Sequence, residues 1–129
     1  MKLAEFLLAM EHIAPKELAM DFDNVGLLIG TKRTEIKRVL LALDCTTATA
    51  QEAIDWGADL LLTHHPLFLS GIKRILPDDP ATAGAYLLLR NGIAHYAAHT
   101  NLDAAPGGVN DCLAEALGIL DAIPLPPDQ

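Results

Sequence analysis

The sequence has few cysteines and no long hydrophobic run. Its two cysteines, Cys45 and Cys112, form no Cys-x-x-Cys motif, which predicts free thiols and argues against a sulfur-ligated zinc site. We interpret Cys45 as a small buried residue in preference to a nucleophile. No apolar stretch approaches the roughly 20 residues that a membrane helix needs. Charges at Glu5 and Glu11 flank a short apolar segment, so the start is typical of a helix and not of a secretory signal. We therefore expect a cytoplasmic protein without a membrane span.

Basic residues are also scarce. The net charge is −8, from 17 acidic and 9 basic residues. The phosphate backbone of a nucleic acid would be repelled on average, so we expect no general nucleic-acid binding. A local basic cluster at Lys32-Arg33 and Lys37-Arg38 is typical of a solvated surface around the start of a strand.

Apolar residues, in contrast, are abundant and patterned. They make up 51% of the 129 residues, enough to build the core of one domain. Apolar stripes at helical spacing predict helices at 3–13, 16–20, 47–56, 80–90 and 109–117. Shorter, nearly continuous apolar runs predict strands at 25–29, 38–43, 59–62 and 93–98. The alternation predicts an α/β fold with a mostly parallel sheet flanked by helices.

Several helix ends and connections carry their own signals. Thr49 and Glu52 have the spacing of a capping box, and Gly57 is a suitable stop for the helix at 47–56. Asp79 is the predicted N-cap of the helix that follows it. Residues 64–78 are predicted to be a long loop. A second loop, rich in small residues, is predicted between the strand at 93–98 and the last helix.

Polar residues gather at the carboxyl ends of three predicted strands, where open parallel sheets bind their ligands. In chain order these residues are Asp44, His64, His65, His99 and Asp103. Histidine and carboxylate together suit zinc, iron or manganese. Because Pro66 biases His65 toward an extended conformation, the two adjacent imidazoles can point to different parts of one cleft. This arrangement suits two metal ions sharing a site better than one ion bound by both rings.

Each candidate has a simpler alternative. Asp103 could be a turn residue before a glycine- and proline-containing loop. His99 could orient a ligand or move protons without binding metal. Asp44 could cap the following helix or support a ligand. We predict a structural role for His95, inside a strand, and a surface position for His12.

Gly107-Gly108 precedes the helix predicted at 109–117. Backbone N–H groups at such a position can hold an anion. Two glycines alone are a weak signal, and we favour a simple tight turn.

Three segments of the chain resemble one family, the GTP cyclohydrolase 1 type 2 homologues. This family is also called Ngg-interacting factor three-like, or dinuclear metal-centre proteins. The similar segments are Asp23-Asn24-Val25-Gly26-Leu27, Thr63-His64-His65-Pro66-Leu67, and His99-Thr100-Asn101-Leu102-Asp103 followed by Gly108-Val109-Asn110-Asp111. Their order and spacing span most of the chain.

The resemblance implies an α/β fold, up to two divalent metal ions (zinc, iron or manganese) and a homo-oligomer in the form of a hexameric ring. By position it implies that His64 and Asp103 bind one metal, that His65 binds the other, and that His99 lies beside them. In a hydrolase we predict that His99 is a catalytic acid or base, if it lies within hydrogen-bond reach. The implied activity is metal-dependent hydrolysis of a small molecule, a nucleotide or related heterocycle. The alternative is a non-catalytic metal-binding module that forms a ring.

Members of this family are usually about twice as long as this chain. Their second half carries a further histidine and a glutamate that bridges the two metals, so the resemblance covers the N-terminal half only. We therefore divide the chain into a metal-binding α/β domain at 1–120 and a proline-rich tail or linker to a second half at 121–129. We expect the metal site of this chain alone to be incomplete.

Overall fold

The structure is a computed structural model that describes residues 1–123 and 125. In chain order the elements are α1 (Leu3–Ile13), a 3-10 turn (Lys16–Leu18), β1 (Gly26–Ile29), β2 (Val39–Ala42), α2 (Thr47–Trp56), β3 (Leu60–Thr63), α3 (Ala83–Asn91), β4 (Ala94–Ala97), α4 (Thr100–Ala104) and α5 (Val109–Ala116). No helix among these is long and apolar enough to cross a membrane. The tail predicted at 121–129 lies largely outside the described residues.

The four strands form one mixed sheet in the order β1-β4-β3-β2. β3 pairs in parallel with both β2 and β4, whereas β1 pairs antiparallel with β4. The prediction of an α/β fold with a mostly parallel sheet is confirmed. Because β1 runs in the opposite direction, its first residue lies at the same edge of the sheet as the last residues of the other three strands.

Helices pack on both faces of the sheet. On one face, α2 and α3 cover Leu61 through small side chains that include Ala50, Ala53 and Ala85. On the other face, Phe6 and Met10 of α1 pack against a second buried group that includes Leu60 and Tyr96. Leu60 and Leu61 are fully buried on opposite faces, as expected for neighbouring residues of a central strand.

The ends of α2 are fixed by a side-chain cap and a glycine. The cap is Thr46, whose hydroxyl accepts a hydrogen bond from the Thr49 N–H at 3.1 Å. The predicted capping box at Thr49 and Glu52 is therefore wrong, because the N-cap lies three residues earlier. Gly57 ends the helix as predicted, with the positive φ of 72° that glycine adopts without steric cost.

Two other helix predictions are wrong. α3 begins at Ala83 and not at Pro80, because Asp79 closes a separate turn: its carboxylate accepts the Ala81 N–H and its carbonyl accepts the Ala83 N–H. The loop predicted after the third parallel strand contains the short helix α4, at Thr100–Ala104.

The apolar run of β2 predicts a strand covered on both faces, and this is also wrong. β2 is one of the two edge strands of the sheet. Leu41 is 72% exposed, and Leu43, just after the strand, is 60% exposed. The described part of the chain therefore leaves an apolar strip open at this edge.

Candidate metal centre

Three imidazoles meet at the carboxyl edge of the sheet. His64 and His65 directly follow β3, and His99 follows β4 by two residues. The ring centroids are 5.1 Å apart for His64 with either of the other two rings and 5.5 Å apart for His65 and His99. One nitrogen from each ring lies within 4.8 Å of the other two, a separation that one ion or a pair of ions could bridge.

The rings of His64 and His65 are each held through Nδ1. The Nδ1–H of His64 donates to the Ala98 carbonyl at 2.9 Å, and that of His65 donates to the Asp44 carboxylate at 2.7 Å. Both acceptors lack hydrogen, so in the neutral ring the proton must lie on Nδ1, which leaves the Nε2 lone pair free. This is the pattern that orients histidines toward a metal.

His99 is held in the same way, by the carboxylate of Asp23. The Nδ1–H of His99 donates to Asp23 at 3.0 Å, and the Asp23 side chain is fully buried. The same carboxylate accepts hydrogen bonds from the backbone N–H and the hydroxyl of Thr100. Burial acts to raise the pKa of Asp23, but the hydrogen bonds from Thr100 and His99 outweigh it and lower the pKa from 3.8 to about 2.

Sequence reasoning missed Asp23 as a site residue and placed it in a turn. It lies 76 residues before His99 and precedes a strand instead of following one. Its position becomes clear only because β1 is antiparallel, which brings the start of that strand to the site edge. The available signal was the Asp23-Asn24-Val25-Gly26-Leu27 segment, one of the three family-like segments.

The backbone of His99 is fixed by Asn101 of α4. Asn101 is fully buried. Its Oδ1 accepts the His99 N–H at 2.9 Å, and its Nδ2 donates to the Ala14 carbonyl at 2.7 Å. The end of α1 is thus tied to the strand end that carries His99.

Asp103 lies beside His64 and outside the group of three histidines. Its Oδ1 is 3.6 Å from Nε2 of His64, and about a third of the side chain is exposed. The two groups face the same volume, as two ligands of one ion would. The assignment of His64, His65 and Asp103 as metal ligands stays a prediction, as does that of His99 as a catalytic acid or base.

The structure also places the remaining candidates of the sequence analysis. Asp44 supports His65 and does not cap α2, because Thr46 is the cap. Burial raises the pKa of the Cys45 thiol to about 12, so this cysteine is protonated and not nucleophilic. His95 is fully buried, and His12 is exposed.

The glycine pair at Gly107-Gly108 forms a tight turn. A Cβ atom at Gly108 would lie 1.9 Å from the Leu102 carbonyl oxygen. Only glycine allows this close approach of two backbone segments. This packing explains the glycine without any bound anion.

The fold and the histidine group define an α/β protein whose site could hold a metal ion. A comparison with known families identifies it further. The family model described as Duf34/NIF3 (NGG1p interacting factor 3) matches residues 1–128. The chain belongs to this family, which confirms the resemblance found in the sequence.

Curated relatives and solved structures agree with this assignment. A Clostridium perfringens protein named "GTP cyclohydrolase 1 type 2 homolog" is 45% identical over 92% of this chain and 45% of its own length. A Bacillus cereus protein related to NIF3 superimposes with a TM-score of 0.85 at 44% identity, covering 92% of this chain and 32% of that one. Reduced HcgD from Methanocaldococcus jannaschii gives a TM-score of 0.81 at 39% identity, covering 89% of this chain and 46% of that one. The chain therefore spans less than half the length of these relatives.

Proposed function

We propose that this chain binds a divalent metal ion at its histidine group and supplies one half of a dinuclear hydrolase site. The observation that supports this best is the shared arrangement of His64, His65 and His99. Each ring is held by an oxygen acceptor at Nδ1, which leaves Nε2 available, and one nitrogen from each ring lies within 4.8 Å of the other two. Three imidazoles with a neighbouring carboxylate suit zinc, iron or manganese.

Within this site we assign His64 and Asp103 to one ion and His65 to a second, with His99 as the group that transfers protons. The closeness of Asp103 to Nε2 of His64 supports the first pairing. The buried Asp23 supports the role of His99, because a proton taken up at Nε2 would create an ion pair with a fixed carboxylate. When bound, the metal ions would supply Lewis-acid activation of water and of the bond to be cleaved.

Calorimetric titration of the chain with zinc tests the ligand assignment. We expect His64→Ala to weaken zinc binding by more than about 100-fold, because it removes a ligand and leaves Asp103 without its neighbour. His12→Ala, on the exposed end of α1, is the matched control and should bind as the wild type does. His99→Ala should retain binding. A loss of binding in His99→Ala would instead make His99 a ligand.

The same titration measures how much of the site this chain provides. We expect one weak zinc site per chain, because ligand number controls affinity and Asp103 is the one carboxylate among the assigned ligands. Two tight sites per chain would contradict the proposal that ligands from outside these residues complete the centre.

We infer that the substrate is a nucleotide or a related heterocycle. Support comes from the relatives named GTP cyclohydrolase 1 type 2 homolog. A shared fold does not fix a reaction, so the assay must include alternatives. A family-length protein carrying this segment, supplied with manganese, zinc or iron, should turn over GTP or a phosphoester. Turnover that is absent, or that survives both His64→Ala and Asp103→Ala, would contradict hydrolysis at this site.

The second candidate is a non-catalytic metal-binding module that assembles into a homo-oligomeric ring in the cytoplasm. One observation favours it: Leu41 of the edge strand β2 and Leu43 just after that strand are exposed. Exposed apolar strips of this kind are common at interfaces between subunits. The two free cysteines, Cys45 and Cys112, suit a reducing compartment.

A further inference from the structure

A buried polar pair lies directly behind the histidine group. Thr63 is the last residue of β3, and His95 is on the neighbouring strand β4. Thr63 is 2% exposed and His95 is fully buried. The Thr63 hydroxyl lies 2.8 Å from Nε2 of His95. Burying an imidazole costs free energy that an apolar side chain would not cost, so packing alone does not account for His95.

The direction of each hydrogen bond in this pair can be derived. The Thr63 hydroxyl lies 2.7 Å from the His65 carbonyl oxygen, which can only accept. The single hydroxyl hydrogen is therefore used there. Nε2 of His95 must then be the donor to Thr63. The pair thus runs in one direction, from the His95 ring through the Thr63 hydroxyl to the His65 carbonyl.

This relay completes the restraint on His65. The His65 N–H donates to the Leu43 carbonyl at 3.0 Å, and its ring is held by Asp44. The His65 carbonyl belongs to the peptide bond with Pro66. A hydrogen bond to that oxygen therefore fixes the orientation of the peptide plane that follows His65, and with it the backbone from which the His65 ring extends.

Thr63 also contacts Ala98, the residue whose carbonyl holds the ring of His64. The Ala98 N–H donates to the Thr63 carbonyl at 3.0 Å, and the Ala98 carbonyl accepts from the ring of His64. Both adjacent imidazoles are therefore oriented through contacts that begin at Thr63.

We propose that His95 and Thr63 are positioning residues for the metal centre. His95 orients the Thr63 hydroxyl, and the hydroxyl orients the backbone of His65 so that Nε2 faces the ion. The inference rests on the proposed function, because it requires that the histidine group binds metal.

Cobalt(II) is a suitable probe, because its visible absorption reports ligand geometry as well as affinity. We expect Thr63→Val, which keeps the shape but lacks the hydroxyl, to weaken Co2+ binding by about 10-fold or more and to change the absorption bands. Thr63→Ser restores the hydroxyl and should bind within about twofold of the wild type. His95→Leu removes the donor and should behave like Thr63→Val. His95→Gln, whose amide N–H can take the place of Nε2–H, should restore binding.

Leu60→Val is the matched control for stability alone. Leu60 is a fully buried residue of the same strand, on the face opposite to Thr63, where it packs in the group with Phe6 and Tyr96. The substitution costs stability without touching the relay. It should leave the Co2+ spectrum unchanged. Equal changes in Leu60→Val and Thr63→Val would overturn the inference.

The remaining outcomes separate this inference from the proposed function. If the wild-type chain does not bind Co2+, the proposed function fails and the inference fails with it. If the wild type binds Co2+ and Thr63→Val binds it equally with the same spectrum, the inference alone is wrong. If His95→Leu does not fold, Thr63→Val and its Thr63→Ser rescue decide the question.

Discussion

Each histidine of the candidate centre depends on a different oxygen atom. A backbone carbonyl holds His64, whereas carboxylates hold His65 and His99. The carboxylates differ in setting, because Asp44 is half exposed and Asp23 is buried. A buried carboxylate that accepts several hydrogen bonds is costly to disturb, so Asp23 should matter for stability as well as for the site.

We expect Asp23→Asn to lower the free energy of unfolding by about 2 kcal/mol at pH 7. The pKa of Asp23 is lowered from 3.8 to about 2 in the folded state. A lowered pKa gives stability that is fully present above pH 3.8 and is lost as the pH falls toward 2. Urea unfolding at pH 7 and pH 3 measures this, and the cost of the substitution should be about half as large at pH 3.

Asp21→Asn is the control for this experiment. Asp21 is exposed and only two residues away, and its substitution should change stability by less than about 0.5 kcal/mol. An Asp23→Asn cost that does not change between the two pH values would contradict the assignment of the ionised carboxylate as the acceptor.

His95 gives the opposite pH dependence to a paired histidine. Burial lowers its pKa from 6.5 to about 4, so it is neutral in the folded protein at pH 7. As the pH falls from 6.5 to 4, the unfolded chain takes up a proton that the folded chain does not. The wild type should therefore lose about 2.5 kcal/mol of stability between pH 7 and pH 4.5.

His95→Gln removes this titration and keeps a hydrogen-bond donor. Between pH 7 and pH 4.5, the variant should lose about 2.5 kcal/mol less stability than the wild type loses. Urea unfolding curves at both pH values measure this difference. Parallel pH dependences for the two proteins would show that the buried ring does not titrate as proposed.

At the residue scale, the limits of sequence reasoning follow from what each contact is made of. The histidines could be found because they end apolar strands, and Asp44 and Asp103 because they follow such ends. The Ala98 carbonyl could not be found, since every residue has one. Asp23 could not be placed from spacing because its role depends on the direction of β1, which the apolar pattern of a short strand does not reveal.

At the scale of elements, α2 offers a direct test of where a helix begins. We expect Thr46→Ala to cost about 1 kcal/mol, because the Thr46 hydroxyl accepts the Thr49 N–H. Thr49→Ala should cost less than about 0.5 kcal/mol, since its hydroxyl contacts only that of Thr46 among the bonded groups described. Urea unfolding of the two variants measures the difference.

The reverse order of these two costs would restore the capping box predicted at Thr49. The wrong assignment has a simple cause. Thr46, Thr47 and Thr49 are all candidate caps, and the spacing to Glu52 favours the last of them. The helix instead begins at Thr47, so its N-cap is Thr46, which follows Asp44 by two residues.

The short helix α4 escaped prediction for a related reason. Its five residues are too few to show an apolar stripe, and isolated helices of this length are not stable. It forms because tertiary contacts hold its first turn: the side chain of the buried Asn101 bonds to the backbone of His99 and of Ala14. Its consequence for function is direct, because α4 presents Asp103 to His64.

At the scale of the whole molecule, the apolar pattern of β2 resembles that of a central strand, although β2 lies at one edge of the sheet. Leu41 and Leu43 are exposed because the described part of the chain packs little against them. Leu41 also lines an apolar hollow of about 180 Å³ that reaches His64. The apolar pattern of the sequence therefore predicts burial that this chain alone does not provide.

We expect this strip to drive self-association of the isolated chain. The net charge of −8 repels neighbouring copies, so association must come from apolar contact. Light scattering should give a mass above the 13.8 kDa of one chain, rising with protein concentration.

Leu41→Lys should restore the single-chain mass, because a charge on an edge strand opposes pairing. Leu8→Lys is the control, since Leu8 is equally exposed but lies on α1, where helical hydrogen bonds satisfy the backbone. A wild type that stays at 13.8 kDa at every concentration would remove the support for a ring-forming module and leave the hydrolase half-site as the stronger proposal.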